Sequence, residues 1–130
     1  MSIVSEDGKS RPSPLECGEI LFRLLKRSWI HPDGNGILPD AFRRRPVDNG
    51  LSVFIASLCS IEEARTKLEK VRGVASLHTG RVRDIGLDVT PDPGDIQHAE
   101  IVGVPLADDD EHMANYFADL LAEQARLAWA

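Results

Sequence analysis

Three groups of side chains in this 130-residue sequence have the types and spacing to do chemistry. The first is Arg43-Arg44-Arg45, in a segment bounded by Pro39 and Pro46. Guanidinium groups grip phosphates and carboxylates through paired hydrogen bonds, so the cluster is a candidate contact for an anionic ligand or a protein partner. In an extended segment neighbouring side chains diverge, so at most two of the three share one target. The competing reading, which takes precedence for a charge run, is a solvated loop. A nucleic-acid reader is disfavoured, because no aromatic residues interleave with the arginines.

The second group is His98-Ala99-Glu100. On a strand, residues two apart project to one face, so His98 and Glu100 stand side by side as an acid–base or metal-binding pair requires. Two ligands do not complete a metal site, and a third would have to converge from His78 or His31. Many antiparallel sheets have one solvated face, and that plainer reading of His98 and Glu100 comes first. The third is Ser52, a polar residue inside the apolar run Leu51-Ser52-Val53-Phe54-Ile55. It is either a small side chain bonded to the backbone or a site residue. Nothing around it resembles G-x-S-x-G, and no Walker, G-x-G-x-x-G or H-E-x-x-H pattern occurs.

These positions need elements to hold them. Asp48-Asn49-Gly50 is a turn signal, and Leu51 to Ile55 is the best strand in the chain. Ser60-Ile61-Glu62-Glu63 is a capping box. Beyond it Ile61, Ala64, Leu68 and Val71 share a helical face, Glu63 and Lys67 pair at i,i+4, and Gly73 is the stop. Val74 to His78 reads as a strand. Thr79 caps a single helical turn in which Val82 and Ile85 face inward, ending at Gly86. Leu87 to Val89 extends, "TPDPGD" is a loop, and residues 97–104 form a late strand. The acidic run Asp108 to Glu111 suits the positive end of a helix dipole. The helix after it has a core stripe of Met113, Phe117, Leu120, Leu121 and Leu127, with Arg126 in its last turn. Residues 1–12 read as a flexible arm and 13–130 as one domain, with Ser13-Pro14 starting a helix. "EILFRLL" suits a helix or a buried strand, and periodicity cannot separate them. The expected fold is α+β: a small three- to four-stranded sheet packed with two or three helices.

Composition narrows the class. An apolar share of 42% and a charged share of 28% describe a globular chain rather than a disordered one. No stretch approaches the roughly 18 apolar residues that span a bilayer, and the N-terminus lacks the order of a signal peptide. Cys17 and Cys59 form no C-x-x-C pair and read as buried free thiols of a cytoplasmic protein. The net charge is -6, and residues 91–130 hold nine acidic side chains against Arg126 alone. Such a chain repels nucleic acid except at a local basic patch.

Three stretches together resemble a group of small uncharacterised bacterial proteins. They are Leu21-Phe22-Arg23 followed by Trp29, Ala41-Phe42 ahead of Gly50-Leu51-Ser52-Val53, and His98-Ala99. That resemblance spans roughly residues 20 to 104, brings no activity with it, and implies a strand at Leu21 to Leu25. A weaker similarity is to the ADP-ribosyltransferase-like fold, whose toxin branch carries an Arg, a Ser or Tyr, and a Glu on separate strands. Arg23, Ser52 and Glu100 fall in that order here. The aromatic-rich nicotinamide pocket of that fold has no counterpart in the sequence.

Two functions follow as expectations. The first, preferred on sequence, is a cytoplasmic binding or accessory module that acts in a complex with a protein partner or a second copy, without membrane, nucleic acid or cofactor. The second is an enzyme, or a degenerate one, acting on nucleotides, with NAD as its substrate in the ADP-ribosyltransferase-like case. There Arg23, Ser52 and Glu100 bind or orient the substrate and His98 assists. The enzyme requires Arg23, Ser52, His98 and Glu100 to share one cleft.

Overall fold

A computed structural model describes residues 14–130, so the expected N-terminal arm and the Ser13 cap lie outside the described residues. The sheet has six strands, not three or four. They are β1 (Ile20–Leu25), β2 (Leu51–Ile55), β3 (Gly73–His78), β4 (Asp88–Asp92), β5 (Asp95–Val102) and β6 (Arg126–Trp129). Their order is β4-β5-β2-β1-β3-β6, and every neighbouring pair is antiparallel. Three helices accompany them: α1 (Ile61–Ala64), α2 (Thr79–Asp84) and α3 (Glu111–Gln124). The class is therefore α+β, with a larger sheet than the sequence suggests.

The two extra strands arise where sequence signals mislead. "TPDPGD" is not a loop but the end of a hairpin. β4 runs through Pro91 to Asp92, Pro93 and Gly94 turn, and β5 starts at Asp95. Proline is tolerated there because β4 is an edge strand. At the other edge, α3 ends at Gln124 and Leu127 belongs to β6, which pairs with β3. Leu127 falls on the helical stripe by spacing, but the open edge of β3 offers a ladder that a further helical turn would leave bare.

Residues 20–25 are strand, and the helical reading of that run fails. β1 pairs with β3 from Ile20 opposite His78 to Leu25 opposite Gly73, placing it in the middle of the sheet. Both of its faces are covered, which explains a run without alternation. α1 begins as expected: Ser60 Oγ accepts from the Glu63 N–H at 3.1 Å, and the Glu63 carboxylate reaches back to the Ser60 N–H. It stops after one turn. Gln97 of β5 stands between the expected i,i+4 pair, donating to Glu63 Oε2 at 3.0 Å and accepting from Lys67 Nζ at 2.7 Å. Leu68 is left 63% exposed instead of packing on a helical stripe.

α2 starts one residue earlier than expected, with His78 at its cap position and Thr79 inside it. Gly86, at φ +97°, closes the turn beyond it as expected. Asp110 caps α3 by accepting the Met113 N–H at 3.0 Å. Cys59 is buried and Cys17 is exposed, so only one of the two thiols is a core residue.

The sheet has unequal faces. Leu21 and Leu25 of β1, Leu51, Val53 and Ile55 of β2, and Ala99 and Ile101 of β5 pack with Phe42, Val82, Phe117 and Leu121 in the main core. The opposite face carries a smaller cluster of Leu24, Phe54, Cys59, Ala64 and Val74 beneath α1. Ser52, His98 and Glu100 share that second face by strand alternation. Among the described residues no helix is long and apolar enough to cross a membrane.

Candidate functional site

A cleft of about 470 Å³ opens on the second face, and Arg23, Ser52, His98 and Glu100 all line it. Register explains three of them. Ser52 lies opposite Glu100, and Phe54 opposite His98, across the β2–β5 ladder. Ser52 and His98 are therefore diagonal neighbours on one face, the spacing at which medium side chains meet. The Ser52 Oγ stands 2.6 Å from His98 Nε2. The imidazole packs at a tilt on Phe54, with ring centroids 5.4 Å apart. Gly50 lets β2 lie this close: a Cβ there would meet the Ile101 carbonyl at 2.6 Å and the Glu100 carboxylate at 3.0 Å.

The partner of His98 on its other side is Asp92, whose Oδ2 is 2.9 Å from His98 Nδ1. The other oxygen, Oδ1, accepts the Gly94 N–H at 2.8 Å within the hairpin turn. Those two bonds, the Gly94 N–H first and His98 second, hold the Asp92 carboxyl below the usual carboxylate range. Asp92 escapes sequence reasoning because "TPDPGD" reads as a loop. The available signal was the Pro93-Gly94 dipeptide, which marks a tight turn and, with Leu87 to Val89 and residues 97–104 extended on either side, would have set Asp92 near the strand of His98.

Arg23 reaches the cleft differently. By alternation with Leu21 and Leu25 it starts on the main-core face. β1 and β2 pair at just two positions, Leu21 with Ile55 and Phe22 with Phe54, and then part. The Arg23 guanidinium occupies the gap, donating from Nε to the Ala41 carbonyl at 3.0 Å and from NH1 to the Ser52 carbonyl at 2.8 Å. It thus replaces ladder bonds that the parted strands no longer make. Burial pushes its pKa down to about 10, opposed by the Asp48 carboxylate and reinforced by Arg45. The Trp29 ring stands 5.5 Å from its guanidinium carbon.

The arginine cluster divides. Arg43 and Arg45 line the cleft and Arg44 does not. Arg45 forms a two-pronged pair with Asp48, at 2.8 and 3.3 Å, which keeps the Asp48 carboxyl low. Arg43 bonds Asp40 at 3.1 Å and Asn115 at 2.6 Å. Arg44 turns back to the Asp48 carbonyl at 3.2 Å. His31 and His78, considered as third metal ligands, do not line the cleft, and no group of three metal-ligating side chains occurs among the described residues.

Comparison with known proteins gives no match, whether to a family model, a curated protein or a solved structure. The site must be read from its own geometry. What that geometry offers is a hydroxyl, an imidazole and the Glu100 carboxylate on one side of the cleft, with Asp92 behind the imidazole and Arg23, Arg43, Arg45, Lys26 and Lys70 around the rest. The first set can move protons. The second can hold an anion.

Proposed function

We propose that the cleft is the site of a small enzyme acting on a nucleotide-sized anionic molecule. The observation that carries this reading is the convergence of Arg23, Ser52, His98 and Glu100 on one cleft. Its volume of about 470 Å³ falls in the range of small-molecule sites. Arg43 and Arg45 supply the anion contacts, while Trp29 offers an aromatic edge to a planar group. The similarity to the ADP-ribosyltransferase-like fold favours a nucleotide and makes NAD the first to test. A cytoplasmic location fits two unpaired cysteines.

The test is titration of the full chain with NAD, ADP and AMP, followed by Trp fluorescence and calorimetry. Binding should quench Trp29 emission, persist in Trp129→Phe, and weaken at least about tenfold when Arg43 and Arg45 are both changed to Ser. Saturating calorimetry without heat for all three ligands would overturn the nucleotide assignment.

The accessory-module reading keeps one supporting observation: Tyr116 is 48% exposed on α3, the helix that the acidic run begins. Recovery of a stoichiometric protein partner, lost on Tyr116→Ala, would favour it.

A further inference from the structure

The chain Ser52–His98–Asp92 has a direction that follows from its chemistry. Asp92, held low by two donors, is ionised at neutral pH and can only accept. In the neutral form of the imidazole the proton facing Asp92 therefore sits on Nδ1, which leaves Nε2 as a bare acceptor. A bare acceptor 2.6 Å from Ser52 Oγ obliges the serine to be the donor. The hydroxyl is thus polarised toward a base whose tautomer and orientation are fixed from behind. The His98 side chain is 17% exposed and rests on Phe54, whereas Ser52 is exposed at the cleft. The base is shielded and the hydroxyl is open to a reactant, the order that nucleophilic catalysis requires.

We propose that Ser52 is a nucleophile, with His98 its general base and Asp92 the positioning residue for His98, in the hydrolysis of acyl esters carried by anionic molecules. The inference rests on the relay and adds a reaction to the cleft whether or not the anion is a nucleotide. Ser52 Oγ bonds to the acyl carbon as its proton passes to His98 Nε2, and the ester C–O bond breaks. The departing alkoxide takes that proton and leaves as the alcohol. Water then attacks the acyl-serine and gives a proton to His98, and the acyl–Oγ bond breaks as His98 passes that proton to Ser52 Oγ, releasing the carboxylic acid and restoring the serine. The arrangement is built on two adjacent strands and a hairpin turn, with no sharp strand-to-helix turn behind the serine. This is why the absence of G-x-S-x-G does not bear on it.

The test uses the full chain and an alkyl fluorophosphonate, which needs no knowledge of the natural substrate. Ser52 Oγ bonds phosphorus, the P–F bond breaks, fluoride leaves, and the serine proton goes to His98. Peptide mass spectrometry should place one adduct on Ser52 and none in Ser52→Ala. His98→Gln should slow labelling at least about 100-fold, as should Asp92→Asn. In Asp92→Asn the amide can donate to Nδ1, so imidazole nitrogen-15 shifts should report a proton moved to Nε2, which a loss of packing alone would not produce. No adduct on Ser52 of the parent chain, or labelling of a folded Asp92→Asn at the parent rate, would overturn the proposal. Labelling needs no nucleotide and is read by mass, so a failed nucleotide titration and a failed labelling are separate results.

Discussion

The two faces of the sheet are built to different ends. On the main-core face Leu21, Leu51, Val53 and Ile101 meet Phe42 and Leu121, all close to fully buried, in a cluster of apolar side chains. On the other face the same strands alternate to Ser52, His98 and Glu100, and α1 covers the apolar residues at one end without reaching these three. One face is closed by shape and the other is held open by hydrogen bonds. The pairing teaches where stability and chemistry are kept apart: a strand with period two can serve both, one residue at a time.

The contrast is sharpest in a pair of truncations. Phe42→Ala empties a fully buried site and should cost about 3–5 kcal/mol, read from denaturant unfolding. Ser52→Ala, one residue away from the core on an exposed position, should change stability by no more than about 0.5 kcal/mol. Equal losses would mean that the open face is structural. An intermediate effect belongs to Arg23, the residue that joins the faces. Arg23→Met keeps the stem but strands the Ala41 and Ser52 carbonyls, for a cost of about 1–3 kcal/mol in the same assay.

The smallest effect is local. Asp92 has a folded pKa below its unfolded value, so its contribution is fully present above the unfolded carboxyl pKa of about 4. It is lost as pH falls through the lower folded value. Amide exchange should therefore show the Gly94 N–H losing protection on acidification before the Val53 ladder does. Simultaneous loss would deny Asp92 any separate role in fixing the turn.

Much of this was legible in the residues, and the failures have particular causes. Ser60 announced its capping box, the acidic run Asp108 to Glu111 its helix start, and Leu51 to Ile55 its strand, because caps, end charges and short β-branched runs are local signals. α1's length was not local. It was set by Gln97, thirty residues from Lys67 and on another element. β4 was legible only as far as Val89, because an edge strand can continue through a proline, and β6 was hidden because Leu127 also suits a helix. His98, Glu100 and Ser52 could be nominated from one strand pattern each, but their diagonal meeting depends on the β2–β5 register. Asp92 depended on a hairpin concealed by two prolines.

The parting of β1 from β2 has a consequence for how the chain folds. It divides the sheet into two triplets, β4-β5-β2 and β1-β3-β6, joined by a two-residue seam that Arg23 fills. The chain crosses that seam four times, between β1 and β2, β2 and β3, β3 and β4, and β5 and β6. Neither triplet is a continuous piece of sequence, so neither can assemble first and wait for the other. The connectivity puts the contacts that close the sheet late in folding and far apart along the chain, the pattern of slowly folding β-rich domains. It also sews the halves together, so that four covalent crossings reinforce a ladder only two residues long.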